Sequence, residues 1–376
     1  MRILIIFNRY ESRGGEDTYV DNLALLLKKR GHIVKTYIKD SRDISTLFEK
    51  IRAGFGLFWN FQTASELDSL IKKFKPHVAH FHNIYPLISP TSYYICHANK
   101  VRIVQTIHNY KFMCPKNSLF RNGKMCELCV NKSFFYPSIV YGCYHHSQLA
   151  SLIYSLSFAF HRLIGAFNLI NLYIFPSPFT KDYYVDHFDI PTQKTLVLPH
   201  FVQVGNKIST ERRIGNYFLY VGRLSEEKGV EELLSVVSTT PQHSLVVVGG
   251  GPLLNSLRMK YSLYKNIQFV GELKHSLVAV YMRKSLAVIV PSKWYEVLPY
   301  VILEAISNKT PLLIYKTINM SRLYAKTRGI SLYTDSSLKK LLTKHSLAKT
   351  ATDYTKISKS LTPSVHINTL LQAYLT

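Results

Sequence analysis

Glu296 and Glu304 lie in a segment whose predicted structure could bind a charged ligand. The segment, PSKWYEVLPYVILEAI, follows SLAVIV, an apolar and β-branched run of strand length. The apolar run after Pro299 predicts a helix, because proline fits the first helical turn, where a missing N–H costs nothing. The free N–H groups at a helix start attract phosphate. Glu304 would lie roughly 7 Å along that helix. A bound nucleotide diphosphate would then place its ribose near Glu304 and a group on its far phosphate near Glu296.

Two cations could bind the same diphosphate. Arg223 and Lys228 flank the turn between a predicted strand and helix in NYFLYVGRLSEEKGVEELLSVV. Cations spaced across such a turn can converge on one diphosphate, with Arg as a planar fork and Lys as a point charge. The plainer alternatives are a solvated loop for this pair and, for the glutamates, a salt-bridged carboxylate inside an ordinary helix.

Composition limits the kinds of partner. The chain has 376 residues, of which 47% are hydrophobic, and this is enough for two domains. Its formal charge of +24 favours acidic partners such as nucleotide phosphates, nucleic acid or an anionic membrane surface. The basic residues are scattered and no nucleic-acid recognition motif is present, so we expect no nucleic-acid partner.

The most lipid-like stretch is 149–175. His161 and Arg162 interrupt it, which leaves apolar pieces shorter than the ~20 residues that a membrane span needs. The apolar stripe from Leu149 to Phe167 favours a core helix, and the alternative is a helix that lies on a membrane surface. MRILIIF is too short for a signal-peptide core and predicts a first strand instead.

Five cysteines in a long chain without a predicted signal peptide indicate a reducing compartment. We therefore expect a cytoplasmic protein that associates peripherally with the inner face of the membrane. One C-x-x-C is present, and four thiolates from one inserted segment of the chain could hold a structural zinc. The alternative is four unligated thiols. The candidate ligands are Cys114, Cys126, Cys129 and Cys143.

Strand and helix signals alternate along both halves of the chain. RILIIFN, IVKTYI, HVAHFHN and VRIVQTIHNY predict strands, and GGEDTYVDNLALLLKKRGH predicts a loop, a helix and its stop. This rhythm predicts an α/β fold with parallel sheets and ligands at the carboxyl ends of the strands. Gly14 and Gly15 follow the first strand, where they either allow close approach to a ligand or form a plain turn. His108 ends a buried strand, where a histidine is either structural or catalytic.

Several motifs, in this order, resemble those of the retaining glycosyltransferases of family four, which have the GT-B fold. The resemblance covers most of residues 1–305, and its subgroup carries an H-x-HN strand, an HD-Y strand end and a Cys cluster. The matching motifs are GGE at 14–16, HVAHFHN at 77–83, TIHNY at 106–110, GRLSEEKG at 222–229, GGGP at 249–252 and E-x7-E at 296–304.

The resemblance implies two Rossmann-like domains facing across a cleft. The expected acceptor-side domain covers 1–203, with a Cys-containing insertion at about 111–148. The expected nucleotide-sugar domain covers 204–355, and a C-terminal helix at 356–376 would cross back to the first domain.

The reaction implied is transfer, with retention, from a UDP- or GDP-sugar to an acceptor hydroxyl of a glycan or a lipid-linked, growing polysaccharide. No D-x-D occurs in the sequence, so no catalytic metal is expected, and cations and the helix start would stabilise the departing diphosphate. The expected catalytic residues are His108, Glu296, Arg223 and Lys228. The expected donor-binding residues are Gly14, Gly15, Arg223, Lys228, Gly251, Val297, Leu298 and Glu304.

The sequence also departs from the family pattern. His77 and Asn109 stand where Asp is usual, and His200 stands where Asn is usual. Val297-Leu298-Pro299 replaces the usual GFG, which leaves the loop N–H groups of Val297 and Leu298 but none from Pro299. These departures leave open a catalytically degenerate sugar-nucleotide-binding protein.

Overall fold

The computed structural model describes residues 1–10, 14–202, 215–343 and 353–376, and these fall into two compact units. The first unit contains residues 1–119, 126–200 and 366–376, and the second contains 120–125 and 201–365. The predicted boundary after residue 203 lies outside the described residues, and the predicted domain limits stay predictions.

A six-stranded parallel sheet forms the centre of the first unit, in the order β2-β1-β3-β4-β7-β8. The short hairpin β5-β6 groups with the second unit. The strands of this half of the chain are β1 (Arg2–Arg9), β2 (Ile33–Asp40), β3 (Val78–Phe81), β4 (Arg102–Thr106), β5 (Phe120–Arg121), β6 (Lys124–Met125), β7 (Leu172–Phe175) and β8 (Thr195–Val197).

Helices surround this sheet. They are α1 (Gly15–Lys29), α2 (Leu47–Phe58), α3 (Phe61–Phe74), α4 (Thr91–Ala98), α5 (Tyr136–Val140), α6 (Gln148–Leu163) and α7 (Pro178–Phe188). The end of the last helix of the chain, from His366 onward, also belongs to the first unit.

The second unit repeats the plan with a parallel sheet in the order β11-β10-β9-β12-β13-β14. Its strands are β9 (Tyr217–Val221), β10 (Ser244–Val248), β11 (Ile267–Gly271), β12 (Val288–Val290), β13 (Leu312–Tyr315) and β14 (Ile330–Tyr333). The later helices are α8 (Val230–Ser238), α9 (Leu254–Lys260), α10 (His275–Lys284), α11 (Tyr300–Ser307), α12 (Ile318–Tyr324), α13 (Leu338–Thr343), α14 (Thr355–Ser360) and α15 (Pro363–Leu375).

These parallel sheets form because their inner strands are apolar on both faces. Six consecutive residues of β1, Ile3 to Asn8, are buried, as are all residues of β3 and β12. Strands covered by helices on both faces need such continuous apolar runs, and strands with one wet face do not. The predicted α/β fold with two parallel sheets is confirmed.

The helix α6 is oriented differently from the expected core helix. The apolar stripe is largely exposed, at Leu149, Leu156, Phe160, Leu163 and Ile164. The buried face carries Ser151, Tyr154, Ser155, Ser157, Phe158 and His161 instead. The expectation that the apolar stripe faces the core was therefore wrong.

Hydrogen bonding explains this orientation. The Ser157 hydroxyl donates to the Leu57 carbonyl over 2.7 Å, and the His161 Nε2–H donates to the same oxygen over 2.9 Å. Leu57 lies in the last turn of α2, where carbonyls have no partner inside their own helix. The polar face of α6 turns inward because it supplies the donors that this helix end requires.

Gly251, an expected donor-binding residue, has a structural role in the second unit. Its φ angle is +145°, and a Cβ atom there would lie 2.6 Å from the Leu224 oxygen and 2.7 Å from the Leu224 nitrogen. The backbone of the loop after β10 thus packs directly on the backbone of the loop after β9. Leu224 also donates to the Gly250 oxygen over 2.7 Å. Only glycine fits this contact.

We expect Gly251→Ala to destabilise the chain, by about 1–3 kcal/mol from backbone strain alone. Gly54→Ala is a matched control. Gly54 lies inside α2, and a Cβ there would make an ordinary contact of 3.7 Å with Ile153 of α6. Alanine favours helix over glycine, so this control should stabilise slightly. Urea unfolding of both variants measures the difference, and equal stability of the two would contradict the packing role of Gly251.

Candidate active site

In the second unit, the loop between β12 and α11 contributes a buried carboxylate to an ion pair with a lysine from the loop after β9. Lys228 Nζ lies 2.6 Å from Glu296 Oε1, and the Ser292 hydroxyl donates to the same oxygen over 2.7 Å. The Glu296 residue is 5% exposed. Lys228 also lies 5.1 Å from the centre of the Trp294 ring. The structure thus brings together two of the predicted catalytic residues.

Other groups in this loop remain available to a ligand. The Glu296 carbonyl accepts from Asn319 Nδ2 over 2.6 Å, which anchors the loop backbone. Within the described ranges, the N–H groups of Val297 and Leu298 have no hydrogen-bond partner. Unpaired N–H groups beside a cation can bind an anion.

The predicted helix is present, and it begins at Tyr300, one residue after the proline that was expected in its first turn. Pro299 is the extended residue that precedes α11, and Glu304 is the fifth residue of the helix. The Glu304 carboxylate lies 3.1 Å from His275 Nδ1, and this contact raises the pKa of His275. Glu304 is therefore at the partly exposed surface, and Glu296 is the buried member of the pair.

Arg223 lies in the loop after β9, and its side chain is exposed. In the part of the chain that the structure describes, its guanidinium makes no ion pair. Its carbonyl accepts from the Tyr220 hydroxyl over 2.7 Å, which holds the loop in place. Lys228 therefore has an internal carboxylate partner, and Arg223 is open to an anion.

In the first unit, Gly14 and Gly15 form the start of α1, and both are exposed. The Gly14 N–H donates to the Asp17 carboxylate over 2.9 Å, which closes the first turn. A Cβ at Gly14 would meet nothing within 4 Å. The chain can therefore be approached closely at this helix start.

His108 follows β4 and is held by other rings. Its Nε2 lies 2.9 Å from His82 Nδ1, and the His82 Nε2 has no hydrogen-bond partner in the described chain. The His200 ring stacks on it with centroids 5.1 Å apart, and the Tyr19 ring meets it edge-on at 5.4 Å. The ring of His108 is thus fixed in one orientation by neighbours from three other segments.

A second layer of hydrogen bonds supports this group. His80 contacts the Thr106 hydroxyl through Nε2 and the Tyr374 hydroxyl through Nδ1, each over 2.7 Å. His366 Nδ1 donates to the Pro199 carbonyl over 2.8 Å, and its Nε2 lies 3.0 Å from the Tyr19 hydroxyl. Because a neutral imidazole has one donor and one acceptor, Tyr19 donates to His366.

Two protein-family models match successive parts of the chain. Residues 13–205 match the model described as Glycosyltransferase Family 4, and residues 206–340 match Glycosyl transferases group 1. The first of these matches spans about half of the chain. The chain belongs to glycosyltransferase family 4.

Curated relatives of this family 4 chain match it over limited lengths. An O-antigen biosynthesis glycosyltransferase of Escherichia coli is 39% identical over 82 residues, which are 20% of this chain and 24% of the relative. An uncharacterized protein from the cps region of Klebsiella pneumoniae is 23% identical over 252 residues, 66% of this chain and 59% of that protein. The first match thus spans about a quarter of the relative's length.

Solved structures show the same fold over the whole chain. A sucrose-phosphate synthase from Thermosynechococcus elongatus has a TM-score of 0.70 at 16% identity, covering 99% of this chain and 98% of its own. The HepE protein of Anabaena, in complex with UDP, has a TM-score of 0.65 at 14% identity and covers both chains fully, at 100% each. The GT-B fold is therefore confirmed for this family 4 chain.

Asn109, the departure from the family pattern beside His108, has partners of its own. Its side-chain oxygen accepts from the Lys111 N–H over 2.9 Å, and its Nδ2 donates to the Tyr10 hydroxyl over 3.1 Å. The Asn109 side chain therefore stabilises the loop after β4, and His82 is the residue that hydrogen-bonds to the His108 ring.

Sequence reasoning did not assign roles to His82 or Glu16. His82 occupies the second position of the H-x-H spacing that ends a buried strand, and Glu16 directly follows the two glycines. Glu16 Oε1 accepts from the Asn83 N–H over 3.0 Å. Burial and the neighbouring Asp17 raise the pKa of Glu16 to about 8. The sequence offered one signal for a functional role of these residues, which is that they lie near the ends of predicted strands.

The four predicted zinc ligands form no metal site in the structure. Cys114 and Cys129 are buried, Cys126 and Cys143 are partly exposed, and none is in a disulfide. Among the described residues, no group of three or more His, Cys, Asp or Glu side chains could hold a metal ion. The burial of Cys129, together with the charges of the other three cysteines, raises its pKa to about 12.

No described helix combines the length and apolar character that crossing a bilayer requires.

The buried histidines predict acid sensitivity. Burial lowers the pKa of His80 and His108 to about 3 and of His366 to about 4, and it lowers the pKa of His82 and His200 well below the usual value. Between these values and about 6.5 the five histidines bind more protons in the unfolded chain than in the folded chain, so their contribution to stability falls as the pH falls. Glu16, whose pKa is raised to about 8, opposes this fall with one proton. Each histidine contributes up to about 1.4 kcal/mol per pH unit.

We therefore expect the free energy of unfolding to drop steeply between pH 6.5 and pH 5. Urea unfolding at several pH values measures it. His200→Asn should make the slope shallower by up to one proton, and replacement of the half-exposed His187 by Asn is the control. A free energy of unfolding that is constant over this range would contradict the neutral state of the cluster.

Proposed function

We propose that this protein transfers a sugar, with retention of configuration, from a nucleotide diphosphate sugar to an acceptor hydroxyl. The observation that carries the proposal is the loop before α11, where Lys228 and two unpaired backbone N–H groups lie beside the buried Glu296. Arg223 adds an exposed cation without an ion pair in the described chain. Such a set of donors suits a diphosphate better than any neutral ligand.

The likeness to HepE supports UDP as the nucleotide, because HepE has been crystallised with UDP and with UDP-glucose. The similarity to an O-antigen glycosyltransferase supports an acceptor that belongs to a cell-surface polysaccharide, lipid-linked or growing. GDP is the alternative nucleotide that the diphosphate site itself would accept equally.

In this proposal the protein's own cations stabilise the departing diphosphate, so that no catalytic metal is required. The attraction of Arg223 and Lys228 for the leaving group would grow as negative charge develops on it. Glu304 would bind the ribose hydroxyls, and Glu296 would contact the sugar side. The structural zinc on the four cysteines stays a separate prediction, which nothing in the described residues supports.

His108 would contact the donor sugar near the reacting carbon. Its pKa of about 3, which burial causes, keeps the ring uncharged at neutral pH. An uncharged imidazole can both donate and accept a hydrogen bond to sugar hydroxyls. His82 fixes its ring, and the reaction would proceed on the front face of the sugar, without a protein nucleophile.

Because Lys228 is ion-paired with Glu296, a test of the donor site must change both residues together. Lys228→Ala alone leaves the buried Glu296 carboxylate without its cation, which costs stability whatever its function. The double variant Lys228→Ala/Glu296→Gln removes both charges and should fold well. We expect calorimetry to show that the double variant and Arg223→Ala bind UDP or GDP at least tenfold more weakly than the wild type, since a charged hydrogen bond contributes about 1.5–3 kcal/mol.

Lys293→Ala is the matched control. Lys293 lies in the same segment and pairs with Glu232 at 2.7 Å, outside the proposed donor contacts. Its nucleotide affinity should equal that of the wild type. Unchanged affinity in the double variant, with normal folding, would show that the diphosphate is not held by Lys228.

We also propose that the protein attaches reversibly to anionic membranes through the exposed faces of α2 and α6. These helices pack together, with Gly54 against Ile153 and Phe58 against Phe160. Large apolar side chains of both are exposed, from 40% at Phe160 to 86% at Leu163. They are Leu47, Phe48, Ile51, Phe55, Leu149, Leu156, Phe160, Leu163 and Ile164.

Positive charge beside this apolar face favours an anionic membrane as its binding partner. Lys50 and Arg52 are exposed on α2, on either side of Ile51 in sequence, and the chain as a whole carries +24. Basic residues near an anionic leaflet contribute about 1 kcal/mol each, and apolar side chains bury into the interface. This attachment would bring the enzyme to a lipid-linked acceptor.

Co-sedimentation with vesicles tests the attachment. The wild type should bind vesicles that contain phosphatidylglycerol, bind neutral vesicles weakly and dissociate in high salt. Phe48→Ser/Phe55→Ser should lose most binding, and Leu263→Ser, which alters a residue that is 91% exposed in the second unit, should not. Equal binding of the Phe and Leu variants would exclude the α2–α6 face.

A further inference from the structure

One unpaired N–H group in the loop between β12 and α11 belongs to a peptide group that the protein holds from its other side. The Val297 N–H and the Glu296 carbonyl form one trans peptide group, and this carbonyl accepts from Asn319 Nδ2 over 2.6 Å. A trans peptide is planar, so its N–H and its carbonyl point in opposite directions. Asn319 therefore fixes the direction of the Val297 N–H, which has no hydrogen-bond partner among the residues that the structure describes.

The same hydrogen bond makes the Val297 N–H a stronger donor. A carbonyl group that accepts a hydrogen bond draws electron density from its own peptide nitrogen, and hydrogen bonds in such a chain strengthen one another. The Asn319 residue is 1% exposed, so water does not compete for its bond to the Glu296 carbonyl. An anion that accepts from the Val297 N–H would extend this chain by one further bond.

The amide of Asn319 is itself fixed at its other end. The Thr317 hydroxyl donates to Asn319 Oδ1 over 2.6 Å, and Thr317 is buried as well. The Glu296 carbonyl can only accept, so the NH₂ group of Asn319 must face it and the amide oxygen must face Thr317. The two contacts together allow one orientation of the Asn319 amide.

Thr317 makes this contact instead of capping its own helix. It is the residue that precedes α12, where a threonine hydroxyl usually accepts from the N–H of the second or third helical residue. The Thr317 side chain makes no such capping bond. A residue that served only the stability of α12 would be expected to cap it. The contact with Asn319 therefore favours a role in holding the loop peptide.

We propose that Asn319 is a positioning residue of the donor site, which orients the Val297 N–H toward the diphosphate of the nucleotide sugar. Thr317 supports this role by fixing the Asn319 amide. Asn319 acts through the Glu296–Val297 peptide group and not by touching the ligand. The inference rests on the proposed function, in which the unpaired N–H groups of this loop lie at the diphosphate.

Calorimetry with UDP and GDP tests the proposal. We expect Asn319→Ala to bind the nucleotide about fivefold more weakly or worse than the wild type, because a hydrogen bond to a charged group contributes roughly tenfold in affinity. Thr317→Val keeps Asn319 but removes the donor that fixes its amide, so we expect a smaller loss of about threefold. Urea unfolding checks that each variant folds, and Thr317→Val carries the test if Asn319→Ala does not fold.

Asn266→Ala is the matched control. Asn266 Nδ2 also donates to backbone carbonyls, those of Val237 and His243, over 2.9 and 3.0 Å. Asn266 directly precedes β11, so it lies at the amino end of the parallel sheet, opposite to the loop that follows β12. This variant should lose stability in urea and keep the nucleotide affinity of the wild type.

The backbone NMR signal of Val297 separates orientation from general stability. In protein labelled with ¹⁵N only at valine, this signal is identified by its absence from the spectrum of Val297→Thr. A saturating nucleotide should move the Val297 amide proton downfield in the wild type, because the N–H gains a charged acceptor. The same shift should be smaller in Asn319→Ala, or in Thr317→Val.

The inference is overturned if the Asn319 and Thr317 variants that fold bind the nucleotide as well as the wild type. It is also overturned if Asn266→Ala loses as much affinity as Asn319→Ala, or if the Val297 amide proton does not move in the wild type at saturation. Failure of the wild type to bind either UDP or GDP has a different meaning, because it removes the proposed donor site itself.

Discussion

The first unit depends on a group of buried imidazoles that remain uncharged. His80, His82, His108, His200 and His366 come from four separate places in the chain and meet around Tyr19 or against one another. Neutral rings can donate on one nitrogen and accept on the other, so His82 pairs with His108, and His80 and His366 bond to hydroxyl and carbonyl groups, without a counter-ion. A charge on any one of them would lie in a desolvated site beside other rings, and this cost keeps the group neutral.

This constraint links the fold to the site. His366 and Tyr374 belong to α15, so this helix hydrogen-bonds to His80 through Tyr374 and to the Pro199 carbonyl through His366. His108 receives its orientation from this group and not from a neighbouring carboxylate. Replacement of the usual Asp by Asn109 is therefore compatible with an ordered His108, because His82 and His200 hold the ring.

The second unit uses the opposite electrostatic arrangement. Its donor loop is organised by a charged pair, Lys228 and Glu296, of which the carboxylate is almost fully buried. A buried ion pair contributes little net stability, but the loss of one partner is costly. We infer that the pair keeps the loop in a single conformation, with Glu296 also bound by Ser292 and Asn319, while Arg223 remains open.

Local patterns in the sequence predicted the α/β class and the strand–loop–helix segment that carries Glu296, whereas the GT-B assignment came from the resemblance to family 4. Apolar β-branched runs predicted the strands and Pro299 marked the start of α11, because strand–loop–helix geometry follows from neighbours in the chain. Of the predicted catalytic residues in this unit, Lys228 and Glu296 lie in contact, whereas a site shared with Arg223 stays a prediction. Three features needed the tertiary structure. The histidine group joins residues up to 286 positions apart (His80 and His366), a distance over which no local pattern reports contact. The need for glycine at position 251 comes from the backbone of Leu224, and a motif match cannot distinguish this contact from a ligand contact.

The exposed stripe of α6 is the clearest case. Periodicity shows that one face is apolar, but a competing requirement decides whether that face turns inward. Here the Leu57 carbonyl needs the donors of Ser157 and His161.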